Sequence, residues 1–512
     1  MQRTIPIIGI VFILTLSGIP TTLSFDNNNI NQNENNDDID WWPMYHHDLK
    51  NTGYSTSNAP NTNNILWNFD LTSNDIGYAN NPIIYNKKLY FTSTTNRIYC
   101  LDSTYGKMIW SKTIGNITNN NIYSIPTIYN NNLFVNSYDG KIYCLNSSNG
   151  GIIWSSKKLY SANFTPKISY DKIYIGSNNH SFYCLNTSNG KIIWSYIIDL
   201  LPSSPALFDE KVYLHDKNGK VYCLNAITGE KIWTNITGGY SIAFTASPVI
   251  YNNKLYVLNE EGRWGDIIYC FNAFNGTLLW RRIFDAYYGD KDNPTPTIAY
   301  GKLYLVSSAY MGSCLYCLKV DNGALLWCHW EMWAYDYSSP AIADGKVYFG
   351  TNNYIEEYNP PKFLCLNANN GSFIWNYQMS INSKDTPIIA DGKLYCNNGS
   401  KIFCFGNEII PPNIEIISPK KDTLYIFDKN IPFISTVIIG EINIQINAYD
   451  NQSGINYVKL YIDNVEKKNF TAYESYVYRW DEKTFNQHII KAVAYDKVGN
   501  TAEYAITVWK FF

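Results

Sequence analysis

Charge is what this chain has least of. Charged residues make up 16% of its 512 residues, against about 25% in an average soluble domain. The formal net charge is only −3, so nothing in the balance points to nucleic acid as a partner. Histidine is rare, with six in all, and none of them forms a spaced zinc pattern. No two cysteines are adjacent; the closest are Cys314 and Cys317. No glycine-rich phosphate loop and no nucleophile elbow occurs. After the first 24 residues no apolar run approaches the length of a membrane span. These absences exclude a disordered polyelectrolyte, a coiled coil and the common metal and nucleotide sites.

Aromatic residues, by contrast, equal the charged ones at 16%, with 44 Tyr, 23 Phe and 15 Trp. Tyr, Phe, Trp and the abundant Ile favour strands, which points to a β-rich globular protein with ample core.

Met1 to Ser24 reads as a secretory signal, with Arg3 at its start, an apolar run from Ile5 to Ile19 and small residues near its end. Residues 25–40 are an Asn/Asp-rich spacer expected to be disordered. The mature chain is therefore expected to be secreted or held at the cell surface, with no transmembrane segment.

Residues 41–410 are organised by an internal repeat. Its unit is seen in Ile98-Tyr-Cys-Leu-Asp-Ser-Thr-Tyr-Gly-Lys-Met-Ile-Trp110, where Gly follows Cys by six residues and Trp follows Gly by four. The triplets are Cys100/Gly106/Trp110, Cys144/Gly150/Trp154, Cys184/Gly190/Trp194, Cys223/Gly229/Trp233, Cys270/Gly276/Trp280, Cys317/Gly323/Trp327 and Cys365/Gly371/Trp375. Trp67 has no Cys/Gly part before it, and Cys404 has no Trp after it. Joined, they complete an eighth unit, so the first strand should close the ring as the outer strand of the last blade. Once per unit a proline opens an apolar segment: Pro82, Pro126, Pro166, Pro205, Pro248, Pro296, Pro340 and Pro387. Proline at a strand's first residue loses no ladder bond. The expected fold is all-β: an eight-bladed propeller of four-stranded blades.

The Cys-x-Asn/Asp-x-x-x-Gly-x-x-x-Trp unit resembles the tryptophan-docking repeat of PQQ-type (BamB-like) β-propellers, with Cys where Ala is usual. Residues 42–55, Trp-Pro-Met-Tyr-His-His-Asp-Leu-Lys-Asn-Thr-Gly-Tyr-Ser, look like a lead-in common in secreted proteins of this class. The resemblance implies that Trp67, Trp110, Trp154, Trp194, Trp233, Trp280, Trp327 and Trp375 dock blade to blade. It also implies that Asp102, Asn146, Asn186, Asn225, Asn272 and Asn367 bond the turn backbone, with a looser turn at Lys319. Members that are enzymes hold a quinone in the channel with a vicinal disulfide, an acidic base and calcium. Here the residues before the prolines are Asn81, Ile125, Thr165, Ser204, Ser247, Thr295, Ser339 and Thr386, with no carboxylate. The expectation is therefore no catalytic residue, no PQQ and no calcium. An extended His46-His47 would point its rings to opposite sides, which argues against a shared metal.

The repeat-position cysteines read as small buried hydrophobes. Cys314, Cys328 and Cys396 lie outside the register, and a bridge between Cys314 and Cys328 stays open. Residues 411–512 look like an Ig-like β-sandwich of surface proteins, from Ala448-Tyr-Asp-x-x-Ser-Gly-Ile and Ala492-x-Ala-Tyr-Asp-x-x-Gly-Asn500. Its expected runs are 413–417, 441–448, 457–462, 476–480, 489–495 and 503–509. Asp450 and Asp496 are expected to cap turns.

Blades five to seven have longer loops, and these bring Trp264, Tyr287, Tyr288, Tyr310, Trp330, Trp333, Tyr335 and Tyr337 to one face. Exposed aromatics on loops of a rigid scaffold mark interaction sites. The competing reading is that they plug the channel mouth or pack the loops. The function expected is a non-enzymatic binding or assembly scaffold whose partner is a cell-surface protein or a glycan. The alternative is a PQQ-dependent dehydrogenase-like or glycan-active propeller enzyme.

Overall fold

The computed structural model describes residues 39–512, apart from 74–76, 116–123, 161–163, 239–245, 261–265, 285–293, 310–311, 333–335, 353–359, 380–384, 408–409, 427, 451–453, 473 and 498–499. Regular structure among them is entirely β.

Blade 1 is a meander of Ile83–Tyr85, Lys88–Thr92, Arg97–Asp102 and Met108–Thr113, in sequence order from the axis outward. The same meander recurs from inner strands Thr127–Tyr129, Lys167–Ser169, Ala206–Phe208, Val249–Tyr251, Thr297–Ala299 and Ala341–Ala343. The seventh sheet gains a fifth strand, Asp336–Tyr337. In the eighth, Ile388–Ala390, Lys393–Asn397 and Lys401–Gly406 are completed by Ile65–Asp70, which runs antiparallel to Lys401–Gly406 with Trp67 opposite Cys404. Ile388–Ala390 also lies against Ile83–Tyr85, so blade 8 meets blade 1 and the ring closes. Closure leaves no open sheet edge between the ends of the repeat.

The sequence explains this local order. Each third strand, such as Ile142–Asn146, is buried on both faces between neighbouring blades, so it reads as a continuous apolar run rather than an alternation. The inner hairpins turn on residue pairs with positive φ, such as Asn130 and Asn131 or Asn252 and Asn253, the backbone that two-residue hairpins demand.

Blades interlock through tryptophan. Trp67, Trp110, Trp154, Trp194, Trp233, Trp280 and Trp327 each lie on the turn glycine of the next blade: Gly106, Gly150, Gly190, Gly229, Gly276, Gly323 and Gly371. A Cβ on Gly150 would stand 2.7 Å from the Trp110 ring. The same turn receives two donors on one carbonyl. Trp67 Nε1 and Tyr395 Oη, both from the eighth sheet, donate to Ser103 O of blade 1 at 3.1 and 3.3 Å. Trp194 and Tyr174 do so to Ala226 O, both at 3.1 Å. Trp375 has no such glycine and packs on Phe405, with ring centroids 5.8 Å apart. Its neighbour Tyr348 donates instead to Pro60 O at 2.8 Å. Residues near Pro60 thus stand in for the turn that the eighth unit lacks.

The turn at Lys319 corrects one expectation. It closes with the same backbone bonds as blade 5: Lys319 N to Ala324 O at 2.8 Å and Gly323 N to Lys319 O at 2.9 Å. What lysine forfeits is the side-chain acceptor that Asn272 offers to Phe274 N, not the turn itself.

Among the described residues all eleven cysteines are free, and only Cys328 is exposed. The repeat-position thiols sit opposite the second strand's aromatic residue, as in Tyr90 with Cys100. Burial pushes the Cys100 thiol up to about 12, which leaves it chemically quiet.

Residues 413–511 form two sheets. One holds Asn413–Ser418, Ile442–Tyr449 and Val477–Trp480; the other holds seven strands centred on Phe485–Asp496 and Thr501–Phe511. Trp480, Ile444, Leu460, Ile490 and Val508 share their core. Thr423–Ile426, Lys429–Pro432, Val437–Ile439 and Val465–Thr471 are strands with no counterpart in the six expected runs. Lys429–Pro432 is exposed throughout, so no apolar period announces it. Asp496 Oδ1 accepts from Asn500 N at 2.8 Å, which makes it a turn cap.

Candidate functional site

A propeller's inner strands pair on one edge only. The other edge faces the axis and leaves backbone N–H groups to be satisfied. In this chain they are satisfied by residues 42–53. Ile84 N donates to Trp42 O, Ile128 N to Pro43 O, Leu207 N to Leu49 O, Ile250 N to Lys50 O, Ile298 N to Thr52 O and Ile342 N to Gly53 O, at 2.7–3.0 Å. Blade 3 reaches the same segment through a side chain: Lys167 Nζ donates to Tyr45 O and Asp48 O, 2.5 Å each. Blade 8 reaches just beyond it, with Gly392 N donating to Ser57 Oγ at 3.0 Å. The lead-in is therefore an axial loop tied to seven blades, with the eighth joined just beyond it.

The loop's own side chains hold its shape. Asp48 accepts from Lys50 N at 2.9 Å, from Thr52 N at 3.0 Å and from Thr52 Oγ1 at 2.5 Å. Asn51 Nδ2 donates to Pro205 O and Pro248 O, at 3.1 and 2.9 Å. Gly53 has φ +64°, and a Cβ there would meet Thr297 Oγ1 at 2.7 Å. His46 and His47 are not extended, as the sequence reading supposed; both are left-handed, with φ 53° and 72°. Their surroundings differ sharply. His47 Nε2 pairs with Asp40 at 3.0 Å, and Asp48 lies on its other side. Burial works against its charge, but the two carboxylates overcome that and lift it to about 9. Burial also opposes the charge of Asp40, yet His47 and Thr56 hold that carboxyl down to about 2. Burial, aided by the charge of Lys167 and only partly opposed by Asp48, pushes His46 down to about 3. Burial lowers Lys167 to about 7 against the opposing pull of Asp48.

Tyr45 points from this loop into the ring of pre-proline residues. Its hydroxyl lies 2.8 Å from Thr295 Oγ1. Thr295 Oγ1 also accepts from Ser247 N at 3.0 Å, and Ser339 Oγ from Thr295 N at 2.9 Å. Ser247, Thr295 and Ser339 thus form a hydroxyl collar on one side of the tyrosine. One carboxylate escaped the sequence reading because it stands one position before the ring. Asp385 lies beside Asn397, and burial pushes it up to about 7.

Of the eight aromatics placed on the loop face, Trp264, Tyr287, Tyr288, Tyr310, Trp333 and Tyr335 fall outside the described residues. Tyr337 belongs to the short strand that pairs with Thr351. Trp330 is 45% exposed on Leu325–Met332, directly opposite Cys314. Beside it, Glu331 bonds Lys362 at 3.1 Å and His329 at 3.2 Å. Burial pushes the Glu331 carboxyl up, but these partners outweigh it and hold it below the usual range. The axial loop itself gave little sequence signal. Its clue was a conformational one, two histidines and an Asn-Thr-Gly turn in a stretch without periodicity.

A closed ring of tryptophan-docked meanders defines a PQQ-type β-propeller. A family model described as outer membrane protein assembly factor BamB matches residues 55–199 and 125–329, and the chain belongs to that family. Among solved structures, BamB from Moraxella catarrhalis is similar at 14% identity and a TM-score of 0.54, covering 66% of this chain and 98% of that one. The quinohemoprotein alcohol dehydrogenase from Comamonas testosteroni is similar at 12% identity and a TM-score of 0.57, covering 75% and 83%. The computationally designed Ika8 protein is similar at 12% identity and a TM-score of 0.52, covering 65% and 97%. At such identities the likeness is one of fold. The search of curated proteins gives no match.

Proposed function

We propose that this protein is an exported, non-enzymatic propeller, a binding or assembly scaffold at the cell surface. It engages a surface protein or a glycan through the loop-rich face of blades 5–7. The observation that carries this reading is the axial loop. The space that enzymes of this fold give to a quinone is spanned by the chain's own residues 42–53, bonded to the inner strands. The residues there do not suit a polyanionic quinone. Lys167, whose amine reaches the loop from blade 3, is committed to two backbone carbonyls. The collar offers neutral hydroxyls that are already engaged, Thr295 by Tyr45 and Ser247 N, and Ser339 by Thr295 N. Among the described residues, no helix is long and apolar enough to cross a membrane.

The test uses the full chain as bait on native cell envelope and on an array of surface glycans, beside a W264A/W330A/W333A variant. The expected result is capture by the natural chain and at least a tenfold loss in the variant. Equal capture by both overturns the site. Calorimetric titration with PQQ, with and without calcium, should give no heat of binding, and saturable heat would overturn the non-enzymatic reading.

A further inference from the structure

The strands Gly312–Lys319 and Leu325–Met332 are both eight residues long, two longer than the corresponding strands of blade 3, Ser181–Asn186 and Ile192–Ile197. The added length brings together two cysteines that the repeat does not explain. Cys314 stands opposite Trp330, and Tyr316 opposite Cys328. Residues two apart on a strand share a face, as do residues directly opposite. Cys314, Tyr316, Cys328 and Trp330 therefore form one square on one face, with the two cysteines on its diagonal. The Cys328 thiol is close enough to the Cys314 thiol to oppose its ionisation. Cys314 is 1% exposed, while Cys328 is open to solvent and is the one exposed thiol of the eleven described.

We propose that Cys314 and Cys328 are a thiol–disulfide exchange site, which a small-molecule disulfide converts to a cross-strand bridge beneath Trp330. The exposed thiol acts first. Cys328, as thiolate, attacks one sulfur of the small disulfide, forming a protein mixed disulfide and expelling one small thiolate. Cys314, as thiolate, then attacks the Cys328 sulfur and expels the second. Each expelled thiolate takes up a proton equivalent to the one its attacker gave to solvent. Two protein thiols are oxidised, one small disulfide is reduced to two thiols, and no other reactant is needed. Burial raises the Cys314 thiol well above its usual range, so the second step is the slow one, and the mixed disulfide should accumulate before the bridge. A diagonal pair spans more than an opposite pair, so the bridge draws the two strands together and should be readily reduced. The eight repeat-position thiols lie deep in the blades and have no such access.

The test is incubation of the full-length protein with oxidised glutathione at pH 8, followed by denaturing alkylation and peptide mass mapping. The expected result is an early glutathione adduct on Cys328. It is followed by loss of two alkylatable thiols and a single linked peptide pair containing Cys314 and Cys328. In C328S no thiol should be lost, and in C314S the adduct on Cys328 should persist. Because Cys328 is exposed, C328S keeps the fold and stands as the control even if C314S does not. An adduct on Cys328 that never resolves in the natural chain, or a linked pair of any other cysteines, overturns the proposal.

Discussion

Asp40 accepts hydrogen bonds from the backbone N–H and the hydroxyl of Thr56, at 2.7 and 2.9 Å, and so ties the two ends of the axial loop to each other. The same carboxylate holds His47. A loop latched at its own base keeps its shape before it meets the blades, which lowers the entropy lost on docking.

The latch gives stability a pH signature. His47 titrates near 9 in the fold, above its ordinary 6.5. Its contribution is complete below pH 6.5 and is lost as pH rises through 9. Asp40 is depressed to about 2, so its own contribution holds above pH 3.8 and fails only as pH falls through 2. The D40N variant should therefore melt lower than the natural chain, by the equivalent of about 2 kcal/mol at pH 5–6. The gap should narrow by pH 10. Melting temperatures of both proteins across that range check it.

Lys167 has the opposite signature. Its folded value near 7 lies below the ordinary 10.5, so the cost of its buried charge is complete below pH 7 and is relieved as pH climbs to 10.5. In K167M two carbonyls lose their donor, at about 1–3 kcal/mol each. The deficit of K167M against the natural chain should widen between pH 7 and 10.5 and be flat below it. A deficit that shrinks over that window would contradict the assignment.

Asp385 is raised to about 7 from 3.8. A raised carboxyl costs the fold as it ionises, so stability should fall as pH rises from 4 through 7. The D385N variant should match the natural chain at pH 4 and exceed it at pH 8. Because the residue is half-buried, the gain should be about 1 kcal/mol rather than the full shift.

Glycine substitutions separate docking from backbone strain. Gly150 and Gly345 have similar φ, +70° and +69°, but only Gly150 touches a ring; nothing lies within 4 Å of a Cβ at Gly345. G345A should cost about 1 kcal/mol for its backbone alone. G150A must also displace Trp110 and should cost about 2–4 kcal/mol. Denaturant unfolding of the two variants side by side measures the difference.

The ring was legible because the repeat carries its own contacts. Cys, Gly and Trp at fixed spacing mark a strand, a turn and a docking ring in each blade, and the split eighth unit marks the closing strand. The axial loop was not legible. Its bonds run from backbone carbonyls to inner strands, and such bonds leave no residue pattern. Lys167 carries no sequence signal of its role, since nothing in its neighbours shows that its ammonium turns to the axis. The loop that carries the positive φ of His46 and His47 is likewise anchored by partners 119 to 250 residues away in sequence, Lys167 on Asp48 and Thr295 on Tyr45. The candidate aromatic face rests on loop length alone, and of its members Trp330 is the one whose side chain the structure describes.

The antiparallel pairing of Ile65 with Phe405 has a mechanical meaning. The ring's two exits lie side by side at one end of a single strand pair. A pull applied between them loads the Trp67 strand as a zipper, one bond at a time, while the other seven blades carry no tension. Upstream of that strand sits the axial loop, moored to seven blades, with Ser57 bonded to the eighth, so force arriving from the amino-terminal side is spread over the ring before it reaches the seam. A protein stretched between a surface and a partner would thus meet its strongest joint first.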